Sequence, residues 1–306
     1  SLLNTDWYIL EMKNSMPYGS LKVPISYSDD EIRRISPIQW GDFKVVNVTV
    51  PPTAYPDSLK SKNLTPDKLT WRMPYSFQSG NVKAVKVQDQ LVFDIIKTNN
   101  WQRSVYFSAT VTEDNYVGLE EYVVQEGMAK RIVPFKEDTP VQFRVNTEKM
   151  WKNFMETPAG YSKTPQDGYF FKNFKNPDIF FNQVETNAVQ SYRTQYLQFA
   201  YEFVNAGDKA RTNQVLDRME ALFPRNIVPY DYRILYDVCM QYLKADNLAK
   251  FNELSPIVEK EALDALAKNP NDIQSFWNPY KLLLDIYETR NDYNKAFDIL
   301  YKLDRV

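Results

Sequence analysis

Apolar positions along this chain follow two spacings, and the change from one to the other divides it. Near the start, Ile9 and Leu10 stand in helical register behind Asn4 and Thr5, residues suited to cap a helix over roughly residues 6–14. The run FKVVNVTV at 43–50 is rich in β-branched residues, and Pro51 and Pro52 stop it. Residues 51–81 carry Pro51, Pro52, Pro56, Pro66 and Pro74 among polar side chains, which predicts a long extended excursion. Residues 82–87 predict a short strand. Leu91, Val92, Ile95 and Ile96 recur at helical spacing up to Asn99 and Asn100. Val105, Phe107, Ala109 and Val111 alternate in the manner of a strand. Residues 119–126 predict a helix ended by Gly127, and residues 130–135 a further strand. Strand alternating with helix implies an α/β domain over residues 1–150, with a mixed sheet and crossover helices. Ser1, Leu2 and Leu3 read as the tail of a strand whose body lies upstream.

From about residue 185 the pattern becomes one of helix pairs. Tyr196, Phe199, Ala200, Phe203, Gly207, Asp208, Thr212, Leu216, Met219 and Pro224 fit tetratricopeptide spacing. Weaker copies follow from Leu235 and from Tyr280, with uneven starts near 193, 232 and 277. The expected second domain is thus an all-α, tetratricopeptide-like helical-repeat domain over residues 185–306. Residues 151–184 form a linker whose Tyr169, Phe170, Phe171, Phe174, Phe180 and Phe181 are expected to pack between the domains.

Composition narrows the function classes. Lys and Arg total 37 against 39 Asp and Glu, a balance that argues against a nucleic-acid partner. There is no His, which removes His-based nucleophile systems and His-ligated metals from this chain. The single cysteine, Cys239, leaves no internal disulfide or thiolate metal cluster. No cofactor is expected. No apolar run reaches the length of a membrane span.

Several blocks follow one another in a familiar order: LLNTDWYI at 2–9, IIKTNNWQRSVYFSATV at 95–111, GLEEYVVQEGMAKRIVP at 118–134 and NPDIFFN at 176–182. Together they resemble the soluble C-terminal region of a bacterial multi-spanning membrane-protein family similar to protein O-mannosyltransferases. The excursion at 51–81 and the stretch at 255–278 are the parts least like that family. The resemblance implies a non-catalytic extracytoplasmic region, on the periplasmic side of the inner membrane, attached to a membrane-spanning N-terminal half. In such proteins the catalytic acid sits in a loop of the membrane half. The resemblance therefore implies no catalytic residue here, while the full-length parent would be a glycosyltransferase. Its partners would be that membrane half and a protein acceptor or peptide on the helical repeats. Two other readings stand beside it: a free-standing periplasmic repeat scaffold, and a soluble carbohydrate-active enzyme using Asp/Glu pairs.

Candidate contact residues fall in two clusters. Asn4, Asp6 and Trp7 combine hydroxyl-binding groups with an aromatic face, as a sugar site would, but the residue types suit better a helix cap with Trp7 buried on the sheet. Asn100, Trp101, Arg103 and Tyr106 lie where a helix hands over to a strand, a place that also suits a turn with Arg103 paired to a carboxylate. Glu120, Glu121 and Glu126 are paired carboxylates, read as the solvated face of a helix.

Overall fold

The computed structural model describes residues 2–15, 22–136, 144–162, 166–273 and 277–305. Contacts divide the chain into two compact units, Ser1–Asn146 and Thr147–Val306. The first holds small sheets and short helices; the second is helical, in the order expected.

The first unit runs α1 (Asp6–Asn14), α2 (Asp29–Arg33), β1 (Ile38–Trp40), β2 (Phe43–Thr49), α3 (Asp57–Lys60), β3 (Lys68–Pro74), β4 (Phe77–Ser79), β5 (Val82–Val85), α4 (Val87–Asn99), β6 (Tyr106–Ser108), β7 (Val123–Gln125) and β8 (Ala129–Ile132). The sheet order is β1-β5-β4, β2-β3 and β6-β8-β7, and each of these ladders is antiparallel. One isolated parallel bridge joins Gln125 to Val145. Helix α4 crosses between β5 and β6, and its apolar stripe divides two cores. Ile96 joins Val48, Leu69, Trp71, Met73, Phe107, Tyr116 and Leu119 in one of them. Val87 and Leu91 join Ile9, Ile25 and Ile32 in the other.

Three expectations are corrected. Residues 51–81 are not an extended excursion, because β3 alternates exposed Lys68, Thr70, Arg72 and Pro74 with buried Leu69, Trp71 and Met73. That half-buried alternation fixes it in register with β2, from Phe43 opposite Pro74 to Thr49 opposite Lys68. Residues 119–126 are not a helix. A single 3-10 turn at Glu120–Tyr122 leads straight into β7, since Val123–Gln125 are buried and pair with β8. Leu2 and Leu3 are not in a strand but in a 3-10 turn, Leu2–Asn4, closed by the Thr5 N–H and hydroxyl on the Leu2 carbonyl. Leu3 packs against the Ile9 core, while Ser1 lies outside the described residues.

The second unit contains α5 (Thr147–Met155), α6 (Gln183–Asn205), α7 (Lys209–Leu222), α8 (Tyr232–Lys244), α9 (Leu248–Lys268), α10 (Pro279–Thr289) and α11 (Tyr293–Leu303). Helices α6/α7, α8/α9 and α10/α11 form pairs with one repeated junction. Gly207, Asp246 and Asn291 each take a left-handed φ, of 71°, 58° and 58°. The next residue then returns its N–H to an aromatic residue of the helix just ended: Asp208 to Phe203, Asn247 to Tyr242, Asp292 to Tyr287. This six-residue closure stops one helix and starts the next. Of the rings expected between the domains, Tyr169, Phe171 and Phe174 pack on rings of this unit, whereas Phe170 and Phe180 are exposed. Phe171 and Phe174 contact Phe223 at 5.0 and 5.4 Å, and Tyr169 contacts Phe154 at 5.4 Å.

Candidate functional site

Asn4, Asp6 and Trp7 lie at the start of α1, all exposed. Thr5 is the residue before the helix, and it makes no side-chain cap. The Asp6 carboxylate instead accepts the Trp7 N–H at 2.8 Å. Trp7 is 61% exposed, not buried on a sheet, and meets Tyr8 edge-on at 5.7 Å.

The second cluster is fixed by hydrogen bonds. Helix α4 ends with Asn100 and Trp101 both left-handed, at φ 45° and 58°. The Trp101 indole donates to the Thr49 carbonyl at 2.9 Å, which ties this turn to β2. Asn99 is buried and its amide donates to the Arg103 carbonyl at 2.6 Å. Arg103 donates to the Lys22 carbonyl at 2.7 Å instead of meeting a carboxylate. The Tyr106 hydroxyl donates to Glu126 at 3.0 Å. Glu126 is buried and also accepts the Asn146 amide at 2.9 Å, with Arg131 at 3.7 Å. It is therefore a held carboxylate, not part of a solvated helix face. Among the described residues no hydrogen bond joins the two clusters.

A cleft of about 710 Å³ lies elsewhere in the first unit, along the outer face of β2 and β3. Phe43, Val45, Thr70, Arg72 and Pro74 line it from the ladder, Gly118, Glu120, Glu121 and Tyr122 from the turn before β7, and Lys136 from the stretch after β8. The turn can stand this close because of Gly118. Its φ is +85°, and a Cβ there would lie 2.2 Å from the Arg72 carbonyl oxygen. Trp71 anchors the same turn by donating to the Val117 carbonyl at 3.0 Å, and the Tyr122 hydroxyl reaches the Thr70 carbonyl at 3.3 Å. The Arg72 guanidinium lies over the Phe43 ring, 4.8 Å from its centre. That contact joins an exposed aromatic to a cation, a pairing suited to polar and apolar ligand groups together.

The two adjacent carboxylates of the cleft are driven apart. Burial raises the Glu120 carboxyl above its ordinary value, against the lowering effect of its own N–H and that of Gly118. Glu121 is lowered by its bond to Lys136. Sequence reasoning missed this cleft because β3 was hidden behind its prolines. The alternation in KLTWRMP was the signal that would have found it.

The first unit is thus a set of antiparallel ladders carrying an aromatic, mixed-charge cleft, and the second a series of helix pairs. Residues 57–149 match the family model described as TMEM260-associated domain 2. That match relates the segment to TMEM260, a protein O-mannosyltransferase-like family. No curated protein and no solved structure matches the chain. Among the described residues no helix is long and apolar enough to cross a membrane.

Proposed function

We propose that this chain is a non-catalytic, extracytoplasmic region of a membrane glycosyltransferase-like protein of the protein O-mannosyltransferase type, and that it holds a protein acceptor or partner. One observation carries the reading. The matched segment, 57–149, contains β3, the turn at Gly118–Tyr122 and Lys136, which make up most of the cleft. The family relation and this cleft thus fall on the same residues. The placement would be periplasmic, on the bacterial inner membrane, with a membrane-spanning half as its covalent partner. The helix pairs, tetratricopeptide-like in spacing, supply a second surface for proteins.

Opposite shifts at Glu120 and Glu121 favour the carbohydrate-active enzyme as the second reading. Against it, Glu121 is engaged by Lys136, and the Glu120 carboxylate by backbone N–H groups. The test is to assay the purified chain with lipid-phosphate sugars, nucleotide sugars and model glycosides. No turnover is expected. Turnover lost on Glu120→Gln or Glu121→Gln would overturn the non-catalytic reading in favour of the enzyme.

A further inference from the structure

Among the described residues the β2–β3 ladder has two strands, which leaves β2 a free edge. Which of its residues face that edge follows from the ladder's ends. The Tyr75 N–H bonds the Asp42 carbonyl, and the Val50 N–H bonds the Asp67 carbonyl at 2.8 Å. In an antiparallel pair, bonded and non-bonded residues alternate. Residues 42, 44, 46, 48 and 50 therefore bond across to β3, while Phe43, Val45, Asn47 and Thr49 turn both N–H and C=O outward. Thr49's carbonyl is taken by the Trp101 indole. Phe43, Val45 and Asn47 have no second strand beside them among the described residues. Their side chains point into or beside the cleft, with Phe43 45% and Val45 63% exposed.

We infer that the outer edge of β2 binds an extended polypeptide as an added strand, whose alternate side chains enter the cleft over Phe43, Val45 and Arg72. This rests on the acceptor-holding reading and names its ligand as a main chain in extended form. The chemistry selects that ligand. Each outward residue offers a donor and an acceptor together, and the next such pair comes two residues later. An extended backbone presents complementary groups at that same repeat, whereas a sugar ring does not. Such an unprotected apolar edge also invites pairing unless something fills it. Three outward residues span a segment of about five residues. The wall at Gly118–Tyr122 closes the β3 side of the cleft, so the β2 side is its entry.

The experiment uses the full chain and a fluorescently labelled, capped octapeptide of alternating threonine and valine, followed by anisotropy. Val45→Pro removes an outward N–H and no ladder bond, so the melting temperature should hold. Binding should weaken about tenfold for each main-chain bond lost. The same octapeptide N-methylated at alternate residues tests the point without altering the protein, and it should also lose binding. Amide resonances of Phe43, Val45 and Asn47 should shift on titration. The inference is overturned if the octapeptide does not bind, or if it binds Val45→Pro and the methylated form leaves affinity unchanged. It is also overturned if a mannose oligosaccharide alone fills the cleft, or if the variant only turns a dimer of this chain into monomers. Failure of sugar transfer by the parent protein would instead remove the glycosyltransferase reading and leave peptide binding standing.

Discussion

Arg193 is fully buried in α6, and its guanidinium is used as a clamp. It donates to the Phe223 carbonyl at 2.8 Å, the Val228 carbonyl at 2.7 Å and the Pro229 carbonyl at 3.1 Å, and stacks 3.6 Å from the centre of Tyr230. These groups belong to the connection between α7 and α8, whose carbonyls have no helix to bond them. Arg193→Met keeps much of the volume and strands those acceptors. It should cost about 3 kcal/mol, read by thermal unfolding. In the sequence Arg193 shares a helical face with Val189, Tyr196 and Ala200, and that placement was the visible sign that a charged residue had been buried. Gly118 is the second residue on which much depends. Gly118→Ala meets both a left-handed φ and the Arg72 carbonyl, so the turn must retreat from β3. A loss of about 2–4 kcal/mol is expected in denaturant unfolding, together with weaker octapeptide binding as the cleft wall shifts.

At the scale of elements, the helix pairs rest on close approaches and on tyrosine hydroxyls. Ala200 is fully buried in α6. Ala200→Leu should overpack that face and cost about 1–3 kcal/mol in a thermal melt. Tyr242 of α8 donates to Asp217 of α7 at 2.8 Å, and Tyr287 of α10 repeats this with Glu259 of α9 at 3.1 Å. Asp237 of α8 differs, because burial pushes its carboxyl up to about 6 with only Lys244 opposing. Unfolded, it ionises near pH 4. Below that pH both states hold the proton and no cost arises. As pH rises from about 4 through 6, the folded state alone resists ionisation, and stability falls by about 2–3 kcal/mol. Asp237→Asn should remove that slope and raise the melting temperature at pH 7.5. Strong periodicity made these helices, and β2, β5 and α4, legible in sequence. β3 was obscured because Pro66 and Pro74 bracket it, although neither interrupts the ladder. Residues 119–126 misled because Leu119, Tyr122, Val123 and Val124 suit either period, and the pairing of β7 with β8 decides between them. The cleft was illegible for the same reason: it needs β3 and that turn to be placed together.

At the scale of the molecule, the second unit begins at Thr147, ahead of the aromatic-rich stretch at 151–184. Its internal contacts argue that this stretch completes the helical core. The Tyr196 hydroxyl donates to the Phe154 carbonyl at 2.7 Å, their rings lie 4.4 Å apart, and Trp151 meets Phe199 and Phe203 at 6.2 and 5.8 Å. Lys149 pairs with Asp167 at 2.5 Å, and Phe171 and Phe174 cover Phe223. A piece comprising residues 147–306 should therefore fold alone, with helical circular dichroism and one cooperative melt. A piece starting at 185 would expose Tyr196, Phe199 and Phe223 to water. Each aromatic uncovered costs about 2 kcal/mol, so that shorter piece should melt about 10 °C lower or fail to fold. Equal melting of the two would show that 151–184 is a tether rather than part of the core, and would return the start of the helical unit to residue 185.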